Sequence, residues 1–336
     1  ATIFMPKTTP LIKVNAVRDL KAKVVLVGNN FDDALKESKT FCKENKVNFI
    51  HPFDDPLVIA GQGTVGMEIS EQFPENLYAV FVAVGGGGLI AGIGAYINKV
   101  HPNVKIIGVE AADSAGLHAS VKAGKRVKLK EVGLFADGAA AKQIGKNNYE
   151  LIKNFLDDSI TVDTDEICAA VKDTFLETRT VPEPTGALAL AGLKKYIGQK
   201  RIKNKNLIAT YCGSNLNFES LGHIVERSKI GEKKEIILSI AIDEKKGSFR
   251  KLCKDIGQKN ITEFSYRKDG SSKAKILLGL ELQDSKKSKD IFLKALRNKN
   301  YSFTDLSNDE ISKKHLKFMH GGRAVSYTHL TLPTKA

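Results

Sequence analysis

An apolar run, Val82-Ala-Val84, ends in four consecutive glycines, Gly85 to Gly88, and Leu89 opens an apolar stretch of helical length. The chemistry this junction offers is anion binding. Without Cβ atoms the backbone reaches left-handed angles and approaches a ligand closely. The N–H groups at the start of the following helix, with its positive end, then hold a phosphate. Three further places carry residue types able to do chemistry. Asp137-Gly138 closes a loop that starts at Gly133, and its acid is expected to be buried. Glu183 stands before Pro-Thr-Gly at a predicted helix start. Cys212-Gly-Ser-Asn215 follows a short apolar strand. Each acid by itself also reads as a cap or turn residue.

The glycine junction leaves two ligands open. Gly86-x-Gly88-x-x-Ala91, with Glu110 ending the next predicted strand, satisfies the dinucleotide fingerprint of a nicotinamide-dependent oxidoreductase. A single phosphate ester such as that of pyridoxal phosphate fits the same loop. Cys212, read at a helix N-terminus, is expected to have a lowered pKa. It could serve as a nucleophile, as a weak hydrogen-bond partner for a cofactor ring, or as a small buried residue. Gly61 and Gly63 sit inside a helical segment, where each costs about 1 kcal/mol against alanine, so close packing or backbone approach is implied. The seven histidines have no metal-ligand spacing, and no metal site is expected.

Positioning these residues calls for an α/β frame. Strands at Thr2–Met5, Lys23–Val27 and Val47–Ile50 alternate with helices at 11–20 and 32–45, which implies parallel βαβ units. His51-Pro-Phe-Asp-Asp-Pro56 reads as a breaker and subdomain boundary. The rhythm resumes with a helix to about Phe73, strands at 78–84 and 105–110, helices at 89–100, 165–179 and after Pro184, a strand at 207–211 and a helix toward Arg227. From about Gly231 the predicted order becomes βαββαβ, the ferredoxin-like arrangement.

The chain has 336 residues, 42% hydrophobic and 27% charged, enough for two domains and a sizeable core. Its net charge is +14. Between Glu232 and Ala324, 22 Lys and Arg face 13 acids without an aromatic stacking platform, which reads as a solvated surface rather than a nucleic-acid groove. The longest apolar stretch is interrupted by the glycines, so no membrane span is expected. Four widely spaced cysteines fit a reducing compartment. Ala1 at the start and the adapter-like run Val325 to Thr334 lead us to expect an internal fragment with a non-native tail at 325–336.

Taken in order, these motifs resemble one family. They are His51 to Thr64, Gly85 to Leu89, Val109 to Ser114, Gly133 to Gly138, Glu183 to Ala187 and Cys212 to Phe218. Together they look like the threonine ammonia-lyases (threonine dehydratases), pyridoxal-phosphate enzymes of fold type II with tryptophan-synthase-β-like parallel sheets. Ile261 to Arg267 and Phe318 to Arg323 resemble the biosynthetic, allosteric branch. The resemblance implies a remainder of the small cofactor subdomain at 1–52, a large catalytic domain at 53–228 and an ACT-like regulatory domain at 232–324. It implies conversion of L-threonine to 2-oxobutanoate and ammonia, inhibition by L-isoleucine opposed by L-valine, a homotetramer and a cytoplasmic compartment. Gly85, Gly86, Gly87, Gly88 and Leu89 would hold the cofactor phosphate, and Cys212 would face the pyridine nitrogen. Asp137, Gly138 and Glu183 would line the site. The family's Schiff-base lysine, in a Ser-Phe-Lys-x-Arg-Gly motif, is not in this sequence; Ser248-Phe-Arg250 is the nearest echo. No catalytic residue is therefore assigned, and the fragment alone is expected to be inactive. A catabolic serine/threonine dehydratase, the nicotinamide enzyme and a non-catalytic amino-acid sensor are the competing readings.

Overall fold

The computed structural model describes residues 1–309 except 30, 74, 217, 219, 233–234, 269–271, 283–285 and 308. The Phe318 to Arg323 motif and the 325–336 tail lie outside the described residues. The chain divides into two compact units, residues 1–228 and 229 onward.

The first unit opens with β1 (Thr2–Met5), α1 (Leu11–Asp19), β2 (Lys23–Leu26) and α2 (Phe31–Asn45). The two strands pair in parallel, Phe4 opposite Val25. The strand expected at 47–50 is not formed: Val47 and Ile50 are 50% and 73% exposed and belong to no element. Four β-formers make a strand only where a neighbour supplies the ladder, and the small sheet stops at two strands.

The main body continues with α3 (Pro56–Gln72), β3 (Leu77–Ala83), α4 (Gly88–Val100), β4 (Lys105–Ala111), α5 (Gly116–Ala123) and α6 (Lys146–Ile152). It is completed by β5 (Leu156–Val162), α7 (Thr164–Thr178), α8 (Pro184–Lys200), β6 (Asn206–Ala209) and α9 (Ser220–Gly231). The strands form one parallel sheet in the order β5-β4-β3-β6. Strand β3, Leu-Tyr-Ala-Val-Phe-Val-Ala, is apolar at successive positions because helices cover both its faces. Ala79, Phe81 and Ala83 join Ile107, Val109, Ile167, Val171 and Leu188 on one side. Val80 and Val82 join Ile59, Ile69, Ile90, Ile93 and Ile97 on the other. Strand β5 escaped the sequence reading. Its Asp157 and Asp158 argue against a strand, but β5 is an edge, and Asp157 Oδ2 accepts from Ile106 N at 2.8 Å.

The glycines of α3 serve helix packing. A Cβ at Gly92 on α4 would lie 2.4 Å from Ile59 O and 2.6 Å from Gly63 N, so backbone meets backbone where α3 crosses α4. Gly61 has open space and takes no part.

The second unit follows the expected order: β7 (Glu235–Asp243), α10 (Ser248–Ile256), β8 (Ile261–Lys268), β9 (Lys273–Glu281), α11 (Lys286–Asn298) and β10 (Ser302–Asp305). Its antiparallel sheet runs β10-β7-β9-β8. One face packs on Leu252 and Ile256 of α10 and Phe292, Leu293 and Leu296 of α11.

Candidate active site

In the main sheet the chain leaves β3 toward β4 on one side, while β6 returns on the other. Ligands of open parallel sheets bind beyond the carboxyl ends of strands at such a reversal. A cleft of about 510 Å³ lies there, lined by the loop after β3, by Asp137 to Ala141, by Glu183 and Thr185 at the start of α8, and by Cys212 after β6. Gly85 to Leu89, Asp137, Gly138, Glu183 and Cys212, all singled out from the sequence, border this one cleft.

The glycine loop forms its floor. Gly87 holds φ +91°, a left-handed angle that lets the chain enter α4. Among the described residues no acceptor takes the backbone N–H of Gly85, Gly86, Gly87, Gly88 or Leu89. The carbonyl side is anchored instead: Gly86 O accepts from Gly145 N at 3.0 Å and from Asn148 Nδ2 at 2.8 Å. Asn148 Nδ2 also donates to Phe53 O at 2.8 Å. Five backbone donors without an acceptor among the described residues thus lie in a loop that lines the cleft and is held from behind.

The segment read as a mere breaker is the brace of that loop. His51 Nδ1 accepts from Phe53 N at 3.3 Å and Asp54 N at 3.0 Å. Asp54 accepts from Lys146 N and Asn148 N at the start of α6, and Asp55 caps α3 through Leu57 N. The Phe53 ring lies where a Cβ at Gly86 would be, 2.4 Å from ring carbons. Burial holds the His51 imidazole below its ordinary range, against the pull of Asp54.

The opposite wall carries the acids. Glu183 is buried at the N-terminus of α8 but makes no capping bond there. Its N–H donates to Gly213 O at 3.0 Å, and its Oε2 is buried without a hydrogen-bond partner. Burial raises its pKa, the Lys13 ammonium lowers it, and Asp137 raises it. Asp137 is exposed, contrary to the expected buried acid, and accepts from Lys13 Nζ at 2.8 Å. Lys13, on α1 and 124 residues away in sequence, was not legible as a site residue. Thr185 Oγ1 is buried and unpartnered, and a Cβ at Gly138 would stand 3.0 Å from it.

Two expectations need correction. The Cys212 thiol does not begin a helix, since α9 starts at Ser220, and its pKa is raised rather than lowered. Cys212 is exposed at the cleft; partial desolvation by its neighbours pushes the thiol up, the Thr210 hydroxyl opposes this, and Glu183 adds to it. A neutral thiol is a hydrogen-bond partner, not a ready nucleophile. Glu110 is not available to a ribose. Its Oε1 and Oε2 accept from Leu117 N and His118 N, both at 2.7 Å, and desolvation pushes its pKa up to about 7. The nicotinamide reading loses its acidic partner. No group of His, Cys, Asp and Glu among the described residues is disposed to hold a metal.

Comparison with known proteins decides between the remaining ligands. Residues 1–213 match the family of pyridoxal-phosphate dependent enzymes. The chain belongs to that family. Pyridoxal phosphate is therefore its cofactor, and the fold is the fold-type II arrangement of parallel sheets. Residues 226–316 match the C-terminal regulatory domain of threonine dehydratase. The chain is 44% identical over 327 residues to the L-threonine dehydratase biosynthetic IlvA of Burkholderia multivorans, covering 96% of this chain and 64% of that protein. It is 46% identical to the mitochondrial threonine dehydratase of Schizosaccharomyces pombe, over 96% of this chain and 54% of that one. The chain thus spans little more than half to just under two thirds of the length of these curated relatives. The structure of processed threonine deaminase isoform 2 from Solanum lycopersicum superposes with a TM-score of 0.65, at 42% identity, covering 68% of this chain and 66% of that chain.

Proposed function

We propose that this chain forms part of a biosynthetic threonine ammonia-lyase, which converts L-threonine to 2-oxobutanoate and ammonia under feedback control. The observation that carries the reading is the row of five backbone N–H donors from Gly85 to Leu89, without an acceptor among the described residues, in the loop that lines the cleft. A phosphate monoester satisfies such donors without any cationic side chain. When bound, pyridoxal phosphate supplies an electron sink for the pair left on the amino-acid Cα after deprotonation. The chain's own residues bind and orient. Gly85 to Leu89 hold the phosphate. Cys212, whose thiol is pushed toward the neutral form, would face the pyridine nitrogen without forcing a proton onto it, which suits elimination over transamination. Asp137, Gly138 and Glu183 shape the substrate side. The Ser-Phe-Lys-x-Arg-Gly lysine is not among these 336 residues, so turnover is assigned to a polypeptide that supplies it.

The unit from 229 onward is read as regulatory, with L-isoleucine as inhibitor and L-valine as antagonist, supported by the family match over 226–316. That match favours the biosynthetic type over a catabolic serine/threonine dehydratase. The proposal also includes a homotetramer and a cytoplasmic compartment, the latter supported by four free cysteines. No helix among the described residues is long and apolar enough to cross a membrane.

Titration of the chain with pyridoxal phosphate and with pyridoxal tests the loop. Saturable binding at least tenfold tighter for the phosphate ester is expected, and weakened in Gly87→Ala, whose left-handed backbone and the nearby Ile144 methyl oppose a side chain. Equal affinity for pyridoxal, or a preference for reduced nicotinamide cofactor, refutes the reading. With the Ser-Phe-Lys-x-Arg-Gly segment joined ahead of residue 1, 2-oxobutanoate should form from L-threonine and fall on adding L-isoleucine.

A further inference from the structure

Three charged groups from three separate elements meet at the edge of the cleft. Lys13 comes from α1 of the small sheet layer, Asp137 from the loop before α6, and Glu183 from the start of α8. The Lys13 ammonium stands 2.8 Å from Asp137 Oδ2 and 3.8 Å from Glu183 Oε2. The first distance is a charge-assisted hydrogen bond; the second is an ion pair beyond hydrogen-bond reach. Glu183 Oε2 is thus in an unusual position. It is buried, faces a cation, and has no hydrogen-bond donor. Its other oxygen, Oε1, lies against Gly213, where a Cβ would stand only 2.4 Å away. The carboxylate is therefore fixed in place, with one oxygen left to accept.

An acid in that setting has two available states. Ionised, its Oε2 accepts a hydrogen bond from an ammonium or hydroxyl of a ligand. Neutral, it donates one instead. The charged neighbours decide which, and those facing Glu183 are Lys13 from α1, Asp137 from its loop and the Cys212 thiol after β6. Lys13 is the cation among them, and it arrives from the layer that also carries β1 and β2.

We infer that Lys13 is a positioning residue of the cleft, whose ammonium bridges Asp137 and Glu183 and keeps Glu183 Oε2 a charged acceptor for an N–H or O–H group of the bound amino acid. The inference rests on the function proposed above for its ligand, but its electrostatic half stands without any cofactor. Burial and Asp137 both push Glu183 toward the neutral form, and Lys13 is what opposes them. Loss of the cation shifts Glu183 toward the neutral, donating form. It also removes the bond by which Asp137 reaches α1.

The test reads the carboxyl of Glu183 directly in the cofactor-free chain. Side-chain carboxyl 13C NMR, with the resonance assigned by its disappearance in Glu183→Gln, gives the midpoint of its titration. An opposite charge at this range moves a carboxyl by about one unit or more. Lys13→Met is expected to raise the midpoint by about one pH unit, Lys13→Arg to leave it within a few tenths, and Asp137→Asn to lower it. The same midpoint in the parent chain and in Lys13→Met overturns the inference. If Lys13→Met does not fold, Asp137→Asn decides, and a midpoint unchanged or raised in that variant is equally fatal. Binding of pyridoxal phosphate measured in the same samples separates the two readings. A chain that binds the phosphate ester but shows no Lys13 dependence refutes only the role of Lys13. A chain that shows the dependence but prefers pyridoxal refutes only the cofactor assignment.

Discussion

The two sheets of this chain bury their strands in opposite ways. In the parallel sheet, β3 and β4 are buried along nearly their whole length, with α3 and α4 on one face and α7 and α8 on the other. Function is then displaced to the strand ends, because the faces are used up by packing. In the antiparallel sheet, β9 alternates over its first half: Lys273 and Lys275 are exposed, Ala274 and Ile276 buried. Its helices cover one face, and among the described residues the other carries a small cluster of Ile237, Leu277 and Leu306. A sheet of this second kind keeps a face on which substitutions are cheap.

The largest effect expected from this difference is at Phe81, fully buried and packed edge-on against Tyr196 with ring centroids 5.3 Å apart. Phe81→Ala should cost about 3–5 kcal/mol in the denaturant transition of the first unit. Leu278→Ala in β9 should cost about 2–5 kcal/mol in the second. A much smaller loss at Phe81 would mean that the parallel sheet is not the better-packed one.

An intermediate effect is expected at Glu110, buried at 1% exposure on β4. Its folded pKa, about 7, lies above its ordinary value of 4.5. Its contribution is therefore full below about pH 4.5 and is lost as pH rises through 7. Glu110→Gln leaves Leu117 N or His118 N facing an amide NH2 and should cost about 1–3 kcal/mol at pH 5. The loss should shrink at pH 8, where the parent must bury a charge. Denaturation of both proteins at the two pH values checks this, and an equal loss at both would contradict the raised pKa. The smallest effect belongs to Lys275→Ala, on the exposed positions of β9, which should change stability by no more than about 0.5 kcal/mol.

Much of the fold was legible because it is written locally. The apolar run of β3, the glycine junction and the period-two pattern of β9 are contiguous in sequence, and each names its element. The misses have local causes as well. The 47–50 segment has strand formers but no partner strand, and β5 has a partner but carries acids that only an edge tolerates. Of the site, the glycines and Cys212 announced their place, since strand-to-helix turns in a parallel sheet all gather at one end. The chemical state of Cys212 did not, because it depends on Glu183 and on desolvation by groups that come from other elements.

Most of the order of strands and helices, the glycine turn after β3 and the change to a βαββαβ unit followed from the amino-acid sequence, since each depends on residues within one or two turns of each other. What tertiary structure decided is which distant groups meet. Asn148 steadies Gly86 across 62 residues, and Lys13 reaches Asp137 across 124. No periodicity encodes such pairs. They exist because packing of helices on both faces of one sheet fixes where each loop ends, and only then can a charge on one element set the protonation of another.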